Sequence, residues 1–319
     1  MKLLTHEALW QGPETVVALG TFDGVHVGHA RLIRKANHLA ALHDLQSVVQ
    51  TFSNHPLEAL APQRVPPMLT TRTEKIATIS AYRPDAMIMR PFDRAFASRS
   101  PEAFVRSLAE TLRPRHVVVG FNYTFGERGA GTPQTLCELG PHYGFETHVV
   151  DAVLRGTEPV SSSRIRAALS AGRMGEATDM LGRPYSLCGV VVHGKHLGHE
   201  LGFPTANIAW PQGKAIPPKG VYFARVWAEG MPHLSVLNIG THPTAPEGPP
   251  SMEAHLLDFE GDLYGKHLRA ELWRFSRPER RFESLDALKA QIGRDLELTR
   301  AFFNERLRGQ DASTNSQKK

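Results

Sequence analysis

The sequence predicts two domains of different fold class. The first is α/β with a doubly wound parallel sheet; the second is antiparallel β, closed by a single long helix. Three observations carry this. Up to about residue 182, near-continuous apolar runs alternate with helical patterns, as strands covered on both faces require. Beyond Gly182, strand-like runs follow one another with turn signals and no intervening helix. The chain, at 319 residues, is long enough to bury two cores of ordinary size.

In the first half, strands are expected at TVVALG (15–20), QSVVQTF (46–52), AMIM (86–89), HVVVG (116–120) and ETHVV (146–150). Between them, residues 29–43 place Leu32, Ile33, Ala36, Leu39 and Ala40 on one helical face. Residues 100–112 open with Ser100 as a cap and Pro101 in the first turn, and Phe104, Val105, Leu108 and Leu112 keep the helical period. The stretch 53–72, with four prolines, reads as a long loop or small insertion. In the second half, strands are expected at 185–194, 220–230, 234–240, 253–259 and 267–275, with Glu229-Gly230 and Gly261-Asp262 as turns. These fit an antiparallel barrel or sandwich. The closing helix has Ser284 as N-cap and Leu285, Leu288, Ile292, Leu296 and Phe303 on one side. Residues 310–319 have nothing to bury and are expected as a disordered tail. The expected division is 1–183, 184–309 and this tail.

Composition narrows the function. Lys and Arg outnumber Asp and Glu by 37 to 32, a mild excess that suits anionic small molecules. No basic block or stripe supports nucleic acid as a partner. Two cysteines, Cys137 and Cys188, form neither a metal-type pair nor a disulfide framework, which points to a reducing compartment, the cytoplasm. The N-terminal MKLLTHEALWQGPE is too polar for a signal peptide, and no apolar run is long enough for a membrane span. A homo-oligomer is compatible with this composition.

Two motifs carry chemistry. GTFDGVHVGH (20–29) lies between an apolar strand and an amphipathic helix, where a glycine-containing loop frees backbone N–H groups for phosphate. His26 and His29, three apart, share a side and can donate hydrogen bonds to phosphate oxygens. Taken alone, the motif reads equally well as an Asp-Gly turn with two surface histidines. SSSRIR (161–166) follows the last strand of the same domain; such a serine cluster is ordinarily a helix cap. Here it adds hydroxyls and arginines at the carboxyl end of a parallel sheet, where such folds bind ligands. In the other half, GVVVHGKHLGHELGFPTANI (189–208) combines glycines that admit close approach of a polyphosphate with three histidines and one lysine clustered at 193–199. Within GFPTAN, Thr205 and Asn207 are two apart in an extended segment, so their oxygens face one way and suit magnesium.

These motifs support a family resemblance. GTFDGVHVGH, with FSNHP (52–56), VGFNYTFG (119–126) and SSSRIR, is similar to the prokaryotic FAD synthetase branch of the HIGH nucleotidyltransferase superfamily. That resemblance implies that Gly20, Phe22, Asp23, His26, Gly28, His29, Ser162, Ser163 and Arg166 bind ATP, and that His55 and Asn122 lie by the flavin. PTAN, PKGVYFARV, NIGTHPT, EAHLLDF and FSRPERRFESLDALKAQIGRD resemble the riboflavin kinase module. There the resemblance implies a barrel, with Glu253 as catalytic base, Gly194, Lys195, Gly198, Thr205 and Asn207 at Mg·ATP, and Arg277 at the flavin. Together they imply a bifunctional enzyme that phosphorylates riboflavin and then adenylylates FMN, with ATP as co-substrate and Mg²⁺ at both steps. Asn54, Thr132, His199 and Ser276 depart from the family pattern. Three alternatives stay open at this point: a chain with one active half, an adenylyltransferase for another acceptor, or a non-catalytic flavin-binding protein.

Overall fold

The computed structural model describes residues 1–193, 202–240 and 251–316. The chain divides into two compact units, Met1–Arg164 and Ile165–Lys319.

The first unit runs β1 (Lys2–Leu4), β2 (Thr15–Leu19), α1 (Val27–His43), β3 (Gln46–Phe52), α2 (Pro56–Leu60), α3 (Arg72–Ser80) and β4 (Ala86–Arg90). It continues through α4 (Arg94–Ala97), α5 (Pro101–Leu112), β5 (Pro114–Gly120), α6 (Pro133–Leu139), β6 (Glu146–Val150) and a small hairpin of β7 (Leu154–Arg155) and β8 (Glu158–Pro159). Six strands form one parallel sheet in the order β1-β4-β3-β2-β5-β6. The chain leaves β2 toward β3 on one side and reaches β5 on the other, so the winding reverses beside β2.

The double covering is visible in β2, whose five residues are all buried. Val17 and Leu19 pack with Phe104, Val105, Leu108 and Leu112 of α5, while Val16 and Ala18 pack with Leu32, Ile33, Ala36, Leu39 and Ala40 of α1. Each apolar side chain so buried contributes about 1.5–3 kcal/mol, which is what fixes both helices on the sheet. Ser100 caps α5 by accepting from Ala103 N at 3.1 Å, with Pro101 at the first helical position. The expected loop at 53–72 contains α2 and a 3₁₀ turn at Pro62–Arg64. The three-residue β1 at the sheet edge was not expected.

The second unit contains most of α7 (Ser162–Ser170), then α8 (Met174–Leu181), β9 (Tyr185–Val192), β10 (Ala206–Ile208), β11 (Gly220–Ala228), β12 (Met231–Gly240), β13 (Ser251–Leu256), β14 (His267–Arg277) and α9 (Leu285–Ser316). The strands close into an antiparallel barrel, β10-β13-β12-β11-β14-β9, which resolves barrel against sandwich. Leu237, Ile239, Ala254 and Leu272 are fully buried in it. Glu229 and Gly230 form a two-residue hairpin turn with φ of 52° and 82°. Both angles lie in the left-handed region, as a turn matched to strand twist demands.

The closing helix turns the expected side inward in part: Phe303 is buried and Leu288, Ile292 and Leu296 are half-buried, but the most buried line is shifted. Ser284 does cap it, accepting from Ala287 N at 3.1 Å. Its buried stripe, however, is Gln291, Asp295, Thr299 and Phe303, while Leu285 is 59% exposed. The cause is Asp295: its carboxylate accepts from Arg277 of β14 at 2.7 Å and from Gln291 at 2.9 Å, while Thr299 donates to its carbonyl. A charged anchor therefore lies along the most buried line of the helix, next to the apolar residues expected there. The helix continues past Gly309 into the segment that composition assigns to a tail, and ends at Ser316.

Candidate active sites

In the first unit a cavity of about 810 Å³ opens at the carboxyl ends of β2, β3, β5 and β6. Leu19, Gly20 and Thr21 contribute from β2, Phe52 from β3, Gly120 and Asn122 from β5, and Val150 to Val153 from β6. This is the reversal point of the winding, where open α/β sheets bind ligands.

The loop entering α1 is strained. Phe22 has φ of 50° and Val25 of 41°, left-handed values that a β-branched valine rarely takes. The buried Asp23 carboxylate holds the loop by accepting from Leu69 N at 3.0 Å and Thr70 N at 3.3 Å. Lys75, also buried, donates its ammonium to the carbonyls of Thr21 and Phe52, both at 3.1 Å. Burial lowers the Lys75 pKa, and the nearby Asp23 charge opposes that shift.

From this loop His26 caps α1, its Nδ1 accepting from His29 N at 3.3 Å. The two imidazoles stack with centroids 3.6 Å apart and 16° between planes. Gly28 leaves room for that stack, because an added Cβ would come 3.1 Å from the His26 ring, tighter than ordinary contact. Burial first, then His26 and Lys75, push the His29 pKa well below the usual histidine value. His29 is therefore a neutral hydrogen-bonding group. Its Nδ1 is buried with no hydrogen-bond partner among the described residues.

The serine motif closes on this loop. Ser162 Oγ donates to the Asp23 carbonyl at 3.0 Å, and Ser161 Oγ accepts from Arg164 N at 3.3 Å, capping α7. Of the residues expected at ATP or flavin, Gly20, His26, Gly28, His29, Asn122 and Ser162 line the cavity. Phe22, Asp23, His55 and Ser163 do not line it. Phe22 and Asp23 are buried beneath the loop, Ser163 is exposed, and His55 caps α2 by accepting from Leu57 N at 3.1 Å. Arg166 lies on α7 four residues beyond Ser162, past the end of the first unit. Sequence reasoning missed Ser161 and Arg128 on the cavity wall, and Lys75 behind it. Ser161 had a signal, as first of three serines; the other two had none.

Two departures from the family pattern are structural here. Asn54 exchanges two hydrogen bonds with Phe92, accepting at 2.7 Å and donating at 3.0 Å, and so joins the ends of β3 and β4. Thr132 caps α6, accepting from Thr135 N at 3.3 Å.

In the second unit, strand register assembles the other constellation. Asn207 of β10 pairs with Glu253 of β13, and Glu253 pairs in turn with Asn238 of β12. Partners across strands share a face. Their sequence neighbours Ala206, Ile208, Met252, Ala254, Leu237 and Ile239 are buried, so this row is on the outer face of the barrel. Thr205 immediately precedes β10 and shares the side of Asn207. GFPTAN is fixed from β13: His255 Nδ1 meets the Pro204 carbonyl at 2.8 Å, and Phe203 stands edge-on to the His255 ring at 5.7 Å. Asn238, which sequence reasoning did not select, donates to Glu279 at 3.1 Å. Arg277 has its guanidinium engaged by Asp295. Gly194, Lys195, Gly198 and His199 lie outside the described residues.

Comparison with known proteins then decides the family. The sequence pattern of FAD synthetase matches residues 10–164, and that of riboflavin kinase matches 181–303. Over 296 residues the chain is 36% identical to the bifunctional riboflavin kinase/FMN adenylyltransferase of Listeria monocytogenes, covering 92% of this chain and 94% of that protein. The chain belongs to the bifunctional riboflavin kinase/FMN adenylyltransferase family. The Escherichia coli member is 37% identical over 300 residues, covering 92% of this chain and 95% of its own. A crystal structure described as a macrolide-efflux protein from Streptococcus pneumoniae matches with a TM-score of 0.85 at 30% identity, covering 93% of this chain and 98% of that one. Among the described residues of this family member, no helix is long and apolar enough to cross a membrane.

Proposed function

We propose that this family member carries both activities, each in its own half, with the functional boundary at residues 183/184. The barrel transfers the γ-phosphate of ATP to the 5′-hydroxyl of riboflavin, giving FMN and ADP. The N-terminal cavity transfers AMP from a second ATP to the FMN phosphate, giving FAD and pyrophosphate. Both reactions belong in the cytoplasm, where ATP and reduced cysteines coexist.

In the barrel, Glu253 takes the proton of the attacking hydroxyl as the new P–O bond forms and the bond to ADP breaks. Asn207, its cross-strand neighbour, and Thr205 supply neutral oxygens, a donor set that fits a hard cation such as Mg²⁺ keeping most of its water and phosphate ligands. When bound, Mg²⁺ supplies charge neutralisation on the transferring phosphate. Gly194, Lys195 and Gly198 belong to the same ATP subsite, and Arg277 to the flavin side.

In the N-terminal cavity, His26 and His29 donate N–H hydrogen bonds to ATP phosphates, and a pre-set stack of two imidazoles costs no reorganisation as charge builds. Ser162, Ser163 and Arg166 hold phosphate from the α7 side, Gly20 and Gly28 let backbone approach, and His55 and Asn122 face the flavin. Phe22 and Asp23 act through the loop they hold.

The observation that carries the division is that the paired Asn207 and Glu253 belong to one compact unit and the stacked histidines to the other. With riboflavin, ATP and Mg²⁺, the purified protein is expected to make FMN and then FAD, resolved by chromatography. Glu253→Ala is expected to stop FMN formation yet convert supplied FMN to FAD, and His29→Ala to show the opposite pattern. A folded Glu253→Ala protein unable to make FAD from FMN would sink the two-site reading.

A further inference from the structure

At the opposite end of the parallel sheet from the cavity, histidines and a carboxylate converge that neither transfer uses. His116 lies near the start of β5 and is register partner to Glu146, the first residue of β6. His148 follows two residues later, so strand alternation brings all three to one side of the sheet. That side is covered by α1, whose last residue, His43, has its ring centroid 4.6 Å from that of His116.

The distances are those of a ligand set. His116 Nδ1 and His148 Nε2 are 3.1 Å apart. Glu146 reaches both rings, with oxygens 3.6 Å from His116 Nδ1 and 3.8 Å from His148 Nε2. Metal–ligand bonds of about 2.0–2.1 Å at a tetrahedral angle put ligand atoms about 3.3 Å apart, close to these separations. We propose that His116, His148 and Glu146 form a binding site for a zinc-class divalent transition metal, with His43 at the edge of the open position.

The chemistry agrees. Burial lowers the pKa of both His116 and His148, and the Glu146 carboxylate opposes that shift. Two imidazoles and one carboxylate suit borderline cations and not Mg²⁺, which prefers an all-oxygen shell. The Glu146 side chain is 67% exposed and gives an ion a way in. Lys35 and Arg115 lie near enough to oppose a cation, and the carboxylate offsets them. Such an ion would join β5 to β6 at the sheet edge, about 13 Å along β5 from Gly120 at the cavity, taking 3.3 Å for each of four residues. Its effect is on the stability of the first unit and not on transfer.

The test uses the full chain without nucleotide, titrated with ZnCl₂ and, for its visible spectrum, CoCl₂. Wild type is expected to bind one equivalent at this site, raise its melting temperature and develop a four-coordinate cobalt band. His116→Gln and His148→Gln each weaken that binding by at least about tenfold, the loss that even an outer-shell change causes. Conversion of FMN to FAD in both variants stays at the wild-type rate, which also shows that they fold. As a second measurement on unaltered protein, cobalt shifts the ring-proton resonances of His116 and His148. Undiminished binding in both variants, or a wild type whose His116 and His148 resonances do not respond to cobalt, overturns the proposal.

Discussion

His29 and Asp23 show how single residues make the cavity end of the sheet. The His29 imidazole is stacked on His26 and pressed by burial, so protonating it would bury a charge beside another cationic group. Its folded pKa lies below the ordinary value of about 6.5, and the unfolded chain therefore binds the proton first as pH falls. Stability from this group is present above about pH 6.5 and is lost below it. Thermal unfolding followed at pH 7.5 and 5.5 is expected to show a lower midpoint at pH 5.5, with a smaller drop in His29→Gln. His116 and His148 are shifted the same way and leave a residual slope in that variant. Identical pH profiles for variant and wild type would refute this account. Asp23 carries a different load. Asp23→Ala orphans the buried Leu69 and Thr70 amides and removes the charge facing Lys75, at a cost on the order of 3 kcal/mol. Chemical denaturation measures it. The histidines were legible because HxGH is a local spacing. The anchoring role of Asp23 was not, since its partners lie some forty-six residues away.

Among the elements, the strands with near-continuous apolar runs and the helices with a sustained period were legible, to within two residues at α1 and α5. Three were not. β1 spans three residues and exists because its backbone pairs with β4; α8 is eight residues long; β10 is three residues held between β9 and β13. Their stability comes from neighbours and not from pattern. The facing of α9 was legible in the main, but its most buried line is shifted toward Asp295, a buried charge that a count of apolar residues passes over. Asp295→Ala leaves Arg277 and Gln291 without their shared acceptor. A fully buried pair broken this way costs about 3–5 kcal/mol. Arg277 keeps 21% exposure, so water compensates in part and a loss of about 2 kcal/mol is expected in denaturant unfolding of this unit. A loss below about 0.5 kcal/mol would assign the facing of α9 to its apolar contacts instead.

At the level of the whole molecule, two chemistries on phosphorus are served by two unlike scaffolds. A parallel sheet gathers loops at its carboxyl edge, which suits a deep cavity for two large ligands. A barrel presents fixed rows of side chains, which holds Asn207, Glu253 and Asn238 at one cross-strand spacing. The compact units divide between Arg164 and Ile165, whereas the change from alternating helices and strands to consecutive strands was legible near Gly182. The row Asn207, Glu253, Asn238 was not, because register across strands is set by pairing that no local pattern records. Each unit also has its own core, so damage to one is expected to remain there. Incubation at a temperature chosen between the two losses should silence FMN-to-FAD conversion in Asp23→Ala while riboflavin phosphorylation persists. Asp295→Ala should do the reverse, and the double variant should lose each activity at the temperature of its own single variant, since independent changes add within about 0.5 kcal/mol. If either single variant silenced both activities at one temperature, the two units would be a single cooperative structure, and the separation of the two activities would be one of chemistry alone.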